Sequence, residues 1–526
     1  MSKELNKILD LIKKKDLITA KKLCYQAKNQ ENNFHHCGET PSDAVAFPWE
    51  RILKPVTALA MSNRAPWWND KSLLSAVVVG IAIRVLPLLL WLDWVCVRDE
   101  CTYSKISRRI VDGEGMVGSA GWLWAPGYPM IVAVHRWFTG VSGSTKVTQI
   151  IAAAVCTVLL YRLVERVYRD WDDVHRRRTA RIAAWMYALS PHMIFFSISL
   201  WSEVLYGTLL LALLLTLDKA REALPTLSSG WLKGAALVGV MGGVCVLFRG
   251  VATYMLPIFA VTFLWGRLRE FGAYKQVAIM LVGAVLTVAP YSMYISKKFE
   301  STIISDRTLG QMMWLGNNDF SPVTFDYGNG YLSQRAFKRH TSQGRKQCAG
   351  RKKVIKRDAC NTENGKQWIL DNPKDFFMRM PLRVAQMLNP NSLMTRHLRW
   401  GSWRGLPQWV DELLILAQAC VSGFVLIGGA FALVARGRGG HGLVTGLILL
   451  YHCAAIAALA GLTRYRVPLE PLLMVYGAGL LSRPRQVWEA FVSKKWRIAL
   501  GVVVMAWVIP LVLWFLPAGW PWWRSW

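Results

Sequence analysis

Long apolar runs separated by short polar stretches dominate the chain from residue 73 onward. A helix needs about 20 apolar residues to cross the hydrocarbon core of a bilayer. Eleven runs reach or approach that length, at 73–95, 145–166, 180–197, 200–218, 233–248, 251–267, 276–295, 411–435, 442–461, 466–482 and 497–516. The pattern therefore predicts an all-α polytopic membrane protein with about eleven transmembrane helices.

The remaining segments define a predicted domain order. In residues 1–70, apolar positions recur at helical spacing among lysines, which indicates an amphipathic segment without the early apolar core of a signal peptide. A shorter apolar helix at 126–139 is expected to lie in the membrane interface. The predicted domains are an N-terminal amphipathic segment (1–70), a transmembrane module (71–295), a long basic loop (296–410) and C-terminal transmembrane helices (411–526).

The positive net charge is explained by the membrane segments rather than by a nucleic-acid partner. The 526 residues are 53% hydrophobic and carry a formal net charge of +30. In a soluble protein such a charge would suggest a nucleic-acid partner. Here Lys and Arg flank the apolar runs, where they set orientation and contact anionic lipid head groups. We therefore expect anionic membrane lipids, and no nucleic acid, among the partners.

The basic clusters predict the orientation. They fall in short loops on the side of the N-terminus, at 176–178, 219–221, 267–269, 436–438 and 494–497. By the positive-inside rule this side is cytoplasmic. The pair Asp99-Glu100, the turn near Pro191, the loop 296–410 and the stretch Arg464–Arg466 then lie on the extracytoplasmic side. The expected location is the inner or plasma membrane of a bacterium.

The loop 296–410 is too long for a plain connector. It contains about 20 Lys and Arg residues against 8 Asp and Glu. This excess suggests a polyanionic partner such as lipid phosphate. The alternative is a solvated basic segment, above all at 335–357.

The ten cysteines do not form a disulfide framework. Cys348 and Cys360 lie 12 residues apart in the predicted extracytoplasmic loop, where the compartment allows a bond. We predict a disulfide there, with two free thiols as the alternative. Cys96 and Cys101 lie near each other at the predicted membrane edge. The cysteine spacing fits no zinc motif, so the residues predict no metal ligands.

Charged residues at membrane depth are the candidate functional residues of the chain. Carboxylates cost energy near lipid and are usually retained there for a purpose. Two interpretations stay open: a functional site, or ion pairs between helices such as Glu203 with Arg249. The residues concerned are Asp99 and Glu100 after the first run, Arg84 within it, and Glu203, Arg249, Arg464 and Arg466 at the starts or ends of later runs.

Several short motifs, taken in order, resemble the membrane-embedded GT-C glycosyltransferases of the protein O-mannosyltransferase and aminoarabinose-transferase type (glycosyltransferase family 39 type). The resemblance covers roughly residues 72–485. Its motifs are Asp99-Glu100 with Tyr103, Gly115 with Trp124-Ala125-Pro126-Gly127-Tyr128-Pro129, Leu189-Ser190-Pro191 with Ser202-Glu203, Phe248-Arg249, Leu315-Gly316-Asn317-Asn318, and Arg464-Tyr465-Arg466-Val467-Pro468.

The resemblance implies a hexosyl- or pentosyltransferase that uses a polyprenyl-phosphate sugar and inverts its anomeric carbon. The acceptor would be a protein, a lipid or a glycan on the extracytoplasmic side. Asp99 would be the catalytic base, and Glu100 would orient substrate or share that role. The implied substrate-binding residues are Tyr103, Trp122, Trp124, Tyr128, Glu203, Arg249, Asn317, Arg464 and Arg466, with the arginines suited to phosphate. A divalent metal ion stays open as a cofactor.

Three other functions are consistent with parts of the pattern. A secondary transporter also carries charges at membrane depth, but it tends to show inverted repeats, which this chain lacks. A scaffold that binds anionic lipid through the basic loop would need no catalytic carboxylate. A polyprenyl-linked glycan polymerase or ligase is the nearest alternative within catalysis.

Overall fold

The computed structural model describes residues 67–90, 96, 99–116, 123–222, 230–319, 348, 354–389, 392–399, 407–436 and 440–492. All of these residues except Trp67 belong to one compact unit, Trp68–Trp526. Four features of the sequence analysis lie outside the described residues: the amphipathic segment as far as residue 66, Trp122, most of the basic stretch 335–357, and the apolar run 497–516.

The regular secondary structure of the described residues is helical, apart from one isolated β-bridge between Leu123 and Arg307. Four 3-10 helices precede α1, α4, α9 and α17, namely Trp67–Asn69, Ser142–Ser144, Gly250–Met255 and Thr463–Arg466. The α-helices are α1 (Lys71–Leu90), α2 (Asp99–Val111), α3 (Gly127–Thr139), α4 (Thr145–Val167), α5 (Asp173–Leu189), α6 (Pro191–Ile198), α7 (Glu203–Glu222), α8 (Gly230–Phe248), α9 (Leu256–Leu264), α10 (Phe271–Phe299), α11 (Leu309–Gly316), α12 (Val354–Asp371), α13 (Pro373–Leu388), α14 (Leu393–Arg399), α15 (Gln408–Arg436), α16 (Gly440–Ala458), α17 (Glu470–Ser482) and α18 (Pro484–Val492).

Six of these helices are long and apolar enough to cross a membrane, namely α1, α4, α8, α10, α15 and α16. The pair α6 and α7 meets the same criterion together but is bent by 113° at its break, as in a broken span or a re-entrant segment. The all-α polytopic fold is thus confirmed. The part of the chain that the structure describes contains six or seven such helices rather than the eleven expected.

Three predicted spans differ for identifiable reasons. The run 180–197 is divided at Ser190, whose hydroxyl caps α6 by accepting a bond from the Met193 amide at 3.4 Å, with Pro191 in the first turn. The run 251–267 is divided between a 3-10 helix and the short α9. The run 466–482 yields only the 13-residue α17, almost all of which is buried. An apolar run indicates that a segment is shielded from water. Because other helices and lipid shield a segment equally well, the run alone does not show that the segment crosses the membrane.

Arg84 anchors this divided region to α1. Its side chain is 2% exposed, and its guanidinium donates to the carbonyls of Ala188 (2.9 Å) and Tyr187 (3.3 Å) at the end of α5 and to the hydroxyl of Ser197 in α6 (3.1 Å). The last carbonyls of a helix lack partners within the helix, so a guanidinium there is satisfied and satisfies them. Arg84 is therefore a packing residue.

Close backbone contacts at glycines hold α8, which ends just before Arg249, against α10. A Cβ atom added to Gly239 of α8 would lie 2.1 Å from the carbonyl oxygen of Met280 in α10. One added to Gly283 would lie 2.9 Å from the carbonyl oxygen of Ala236. Such contacts let helix backbones approach closely, the usual basis of helix packing in membranes.

Two disulfides are present among the described residues. The predicted Cys348–Cys360 bond is confirmed, with a Cα–Cα distance of 6.0 Å. A second bond joins Cys96 to Cys101 with a Cα–Cα distance of 5.1 Å. These two cysteines lie close together in the sequence, but no bond between them was predicted.

Candidate functional site

Ion pairs hold together one set of helix ends. Arg166 near the end of α4 bonds Glu222 at the end of α7 at 2.9 Å. Arg483, just after α17, bonds Asp172, just before α5, at 2.8 Å. The opposite ends of α7 and α17 lead to a different charge cluster, which forms the candidate site.

Asp99 and Arg464 form the first pair of this cluster, although 365 positions separate them in the chain. Asp99 begins α2, and Arg464 lies in the 3-10 helix before α17. The Asp99 side chain is 31% exposed and that of Arg464 is 11% exposed. The guanidinium lies 5.2 Å from the ring centre of Trp201 and 5.3 Å from that of Tyr465. This pair is therefore open to solvent on one side and walled by aromatic rings on another.

Glu203 and Arg249 form the second pair, with an Nη2–Oε1 distance of 2.7 Å. The pairing of these two residues, one of the two interpretations left open, is thus confirmed. The side chain of Glu203 is 1% exposed, and its other oxygen, Oε2, accepts no hydrogen bond from the described residues. Arg249 also contacts the ring of Tyr465, at 5.9 Å. Both guanidinium groups of the site therefore share one aromatic partner.

Aromatic rings adjoin these pairs on the side of α2 and α3. Tyr103 packs edge-on against Trp124 and Tyr128, with ring centres 5.2 and 4.6 Å apart. Burial raises the pKa of the Tyr103 hydroxyl, and the nearby Glu203 carboxylate raises it further. The hydroxyl of Tyr128 donates to Gln149 at 2.6 Å, and the ring is 1% exposed. Tyr128 is therefore committed to packing.

Glu100 is buried inside the protein, whereas its neighbour Asp99 is partly exposed. Its side chain is fully buried, and Oε1 accepts a bond from the backbone amide of Leu200 at 3.0 Å. Its Oε2 lies 3.9 Å from Nε2 of His397. Glu100 therefore ties the start of α2 to the segment that leads into Glu203.

Arg466 lies in the helix core rather than beside Arg464. Its side chain is fully buried and donates to Glu470 at 2.7 Å and to the carbonyl of Met387 at 3.1 Å. Glu470 also bonds His192 at 2.9 Å. Two basic positions of one short motif, separated by a single residue, thus lie in two different environments.

Asn317 is likewise occupied by packing contacts. Its amide nitrogen donates to the carbonyls of Met313 (2.8 Å) and Ala458 (3.0 Å). Its amide oxygen accepts from Arg383 at 2.9 Å. Arg383 also donates to the carbonyl oxygens of Gly316 and Ala457, at the ends of α11 and α16. Burial lowers the pKa of the Arg383 guanidinium to about 10.

Asp306 was missed by the sequence analysis. Its carboxylate accepts from the backbone amide of Gly250, next to Arg249, and from the Thr308 hydroxyl at 3.3 Å. Burial raises the pKa of Asp306 from 3.8 to about 6, and these two bonds oppose the shift. The next residue, Arg307, donates its amide to the carbonyl of Leu123 at 2.9 Å, beside the aromatic rings. A single aspartate in a loop gives no sequence signal for such a position.

The donor groups of the site do not fit a metal ion. Asp99 and Glu203 are each bonded to a guanidinium, and Glu100 to a backbone amide. Among the described residues, no three His, Cys, Asp or Glu side chains are arranged to hold a metal.

No protein-family model matches the chain, and no curated protein matches it. It is similar to a solved structure of the Archaeoglobus fulgidus oligosaccharyltransferase in complex with Zn and sulfate (13% identity, TM-score 0.43, 84% of this chain and 52% of that one). It is also similar to AglB of the same organism in complex with an inhibitory peptide and a dolichol-phosphate (16%, 0.41, 85% and 55%). A third similar structure is ArnT from Cupriavidus metallidurans bound to undecaprenyl phosphate (12%, 0.38, 78% and 78%).

The chain thus spans about half the length of the oligosaccharyltransferases that it resembles.

Proposed function

We propose that this protein is a glycosyltransferase that moves a hexose or pentose from a polyprenyl-phosphate donor to an acceptor hydroxyl on the extracytoplasmic side of the membrane, with inversion. One observation carries the proposal. A partly exposed carboxylate, Asp99, lies in the same aromatic-walled cluster as two guanidinium groups, those of Arg464 and Arg249, which share the ring of Tyr465.

The two arginines suit the phosphate of the donor. A guanidinium binds two phosphate oxygens at once, and its charge stabilises the negative charge that develops on a leaving phosphate. In the free protein Arg464 is bonded to Asp99. An incoming phosphate would compete for that guanidinium. Asp99 would then lose its counter-ion and be free to accept a hydrogen bond from the acceptor hydroxyl, so donor binding would itself prepare the carboxylate.

The transfer step follows from these roles. The acceptor hydroxyl gives its proton to Asp99 as its oxygen forms a bond to the anomeric carbon. The bond from that carbon to the phosphate oxygen breaks, and its electron pair stays on the phosphate, beside Arg464 and Arg249. Attack from the side opposite the phosphate inverts the anomeric carbon.

The remaining predicted site residues divide by environment. Tyr103 and Trp124 would form the wall for the sugar ring, and the buried Glu203 would hold Arg249 in place. Four residues, all tied to backbone or core groups, would instead position the others: Glu100, Tyr128, Asn317 and Arg466. The proposed acceptor is a hydroxyl group of a protein, a lipid or a glycan.

The test uses the purified protein in lipid nanodiscs with a panel of hexosyl and pentosyl polyprenyl phosphates. Mass spectrometry follows release of polyprenyl phosphate and the glycosylated acceptor. Asp99→Asn should slow release by about 10²–10⁴-fold. Glu114→Gln, which removes only an exposed ion pair with Arg109, should not. Equal release by Asp99→Asn and wild type, or no release from any donor, would refute the proposal.

A further inference from the structure

The Cys96–Cys101 disulfide encloses the acidic pair. Cys101 is the third residue of α2, and Asp99 and Glu100 lie between the two cysteines in the chain. The bond thus closes a short loop at the junction between the end of the first apolar run and the start of α2.

Both enclosed carboxylates bond residues that are distant in the sequence. Asp99 bonds Arg464, and Glu100 bonds the amide of Leu200. Each bond joins the first turn of α2 to a segment at least 100 positions away. The first turn of a helix lacks half of the internal hydrogen bonds and frays readily. The position of both carboxylates therefore depends on what holds this turn in place.

We propose that the Cys96–Cys101 disulfide positions Asp99 and Glu100 for the transfer reaction, so that full activity requires the oxidised form. This inference rests on the proposed function. The disulfide acts as a covalent constraint on the first turn of α2 and exchanges no electrons during transfer. A displacement of about 1 Å at a reacting group can cost about 100-fold in rate.

The second disulfide provides a matched comparison. Cys348–Cys360 joins residue 348 to α12 and encloses none of the candidate site residues. Removing either bond eliminates one covalent link and introduces the same two serines. Only removal of the first should release the acidic pair.

The experiment compares Cys96→Ser/Cys101→Ser with Cys348→Ser/Cys360→Ser in nanodiscs. We expect kcat to fall about 100-fold in the first variant. Binding of sugar-free polyprenyl phosphate should not weaken, because Arg464 and Arg249 lie outside the closed loop. The second variant should keep wild-type kcat. Unchanged kcat in the first variant, or an equal loss in both, would overturn the proposal.

Two further measurements keep the proposal testable. Hydrogen exchange of the amides from Tyr103 to Ile106, which in an α-helix bond the carbonyls of its first turn, should be faster in Cys96→Ser/Cys101→Ser. Equal exchange would overturn the proposal even if wild type transfers no sugar. A wild-type protein that transfers no sugar would refute the proposed function but not the positioning of the acidic pair by the disulfide. If the serine variant does not fold, the folded Cys348→Ser/Cys360→Ser protein can be reduced instead. Dithiothreitol then supplies two electrons and two protons to Cys96–Cys101 and becomes a cyclic disulfide. Activity should fall and return on reoxidation; unchanged activity in the reduced protein would overturn the inference.

Discussion

Replacement of Asp99 by Asn should change turnover and donor affinity in opposite directions. The amide keeps the shape of the carboxylate but removes its charge and basicity. Loss of a general base costs about 10²–10⁴-fold in rate. The same change also frees Arg464 from its counter-ion, so the guanidinium becomes more available to the donor phosphate.

The size of the affinity change follows from the exposure of the pair. With side chains 31% and 11% exposed, Asp99 and Arg464 form a partly solvated pair, and such pairs contribute about 1 kcal/mol or less. Because 1.4 kcal/mol corresponds to tenfold, the donor should bind more tightly by less than about tenfold. High salt should reduce this gain, because it screens exposed charges.

The assay measures both quantities on one preparation. Turnover is followed as released polyprenyl phosphate by mass spectrometry, and affinity by titration of sugar-free polyprenyl phosphate against tryptophan fluorescence. Glu114→Gln is the control and should change neither. Wild-type turnover in a folded Asp99→Asn protein would refute the assignment of the base. Weaker lipid binding in that variant would refute the competition between carboxylate and phosphate for Arg464.

Three further predictions concern the surrounding charges. Arg464→Ala should weaken polyprenyl-phosphate binding with little change in the unfolding temperature. Arg466→Ala empties a fully buried position and should lower the unfolding temperature more than it weakens binding. The opposite result for the two variants would contradict the placement of Arg464 in the phosphate site and Arg466 in the core. Glu203→Gln should destabilise the fold by up to about 3–5 kcal/mol because it leaves the charge of Arg249 without its carboxylate, and Glu203→Gln/Arg249→Met should recover part of the loss in denaturant unfolding; no recovery would argue against the pair. Because the pKa of Asp306 is raised from 3.8 to about 6, the folded state binds more protons than the unfolded state between these values, so stability falls as pH rises through that window. Asp306→Asn should remove this slope in thermal unfolding from pH 4 to 7, and an unchanged slope would show that another group is responsible.

Part of the site could be read from the sequence because charges in apolar surroundings are rare and therefore conspicuous. Glu203 and Arg249 interrupt apolar runs, and the requirement that buried charges be paired predicts their contact. The spacing of Cys348 and Cys360 predicted their bond for a similar reason, since both fall in one loop. Asp306 offers no such contrast with its surroundings, and its proximity to Gly250 arises only from the way the chain folds back.

The number of spans could not be read in the same way. The pattern measures how apolar a segment is, and α17 is apolar because other helices cover it. The break at Ser190 depends on a local cap and on Arg84, which arrives from more than 100 positions earlier in the chain. A one-dimensional pattern carries no information about which segments cover one another.

The helical membrane class, the segments rich in charge, and the residues able to perform acid–base and phosphate chemistry could all be predicted before the fold was known. Those properties depend on composition and local spacing. The roles within each motif depend instead on the folded chain: Asp99 is partly exposed but Glu100 is buried, and Arg464 lies in the site but Arg466 in the core. Neighbours in a helix or turn point in different directions, so their environments are set by the distant segments that each one meets.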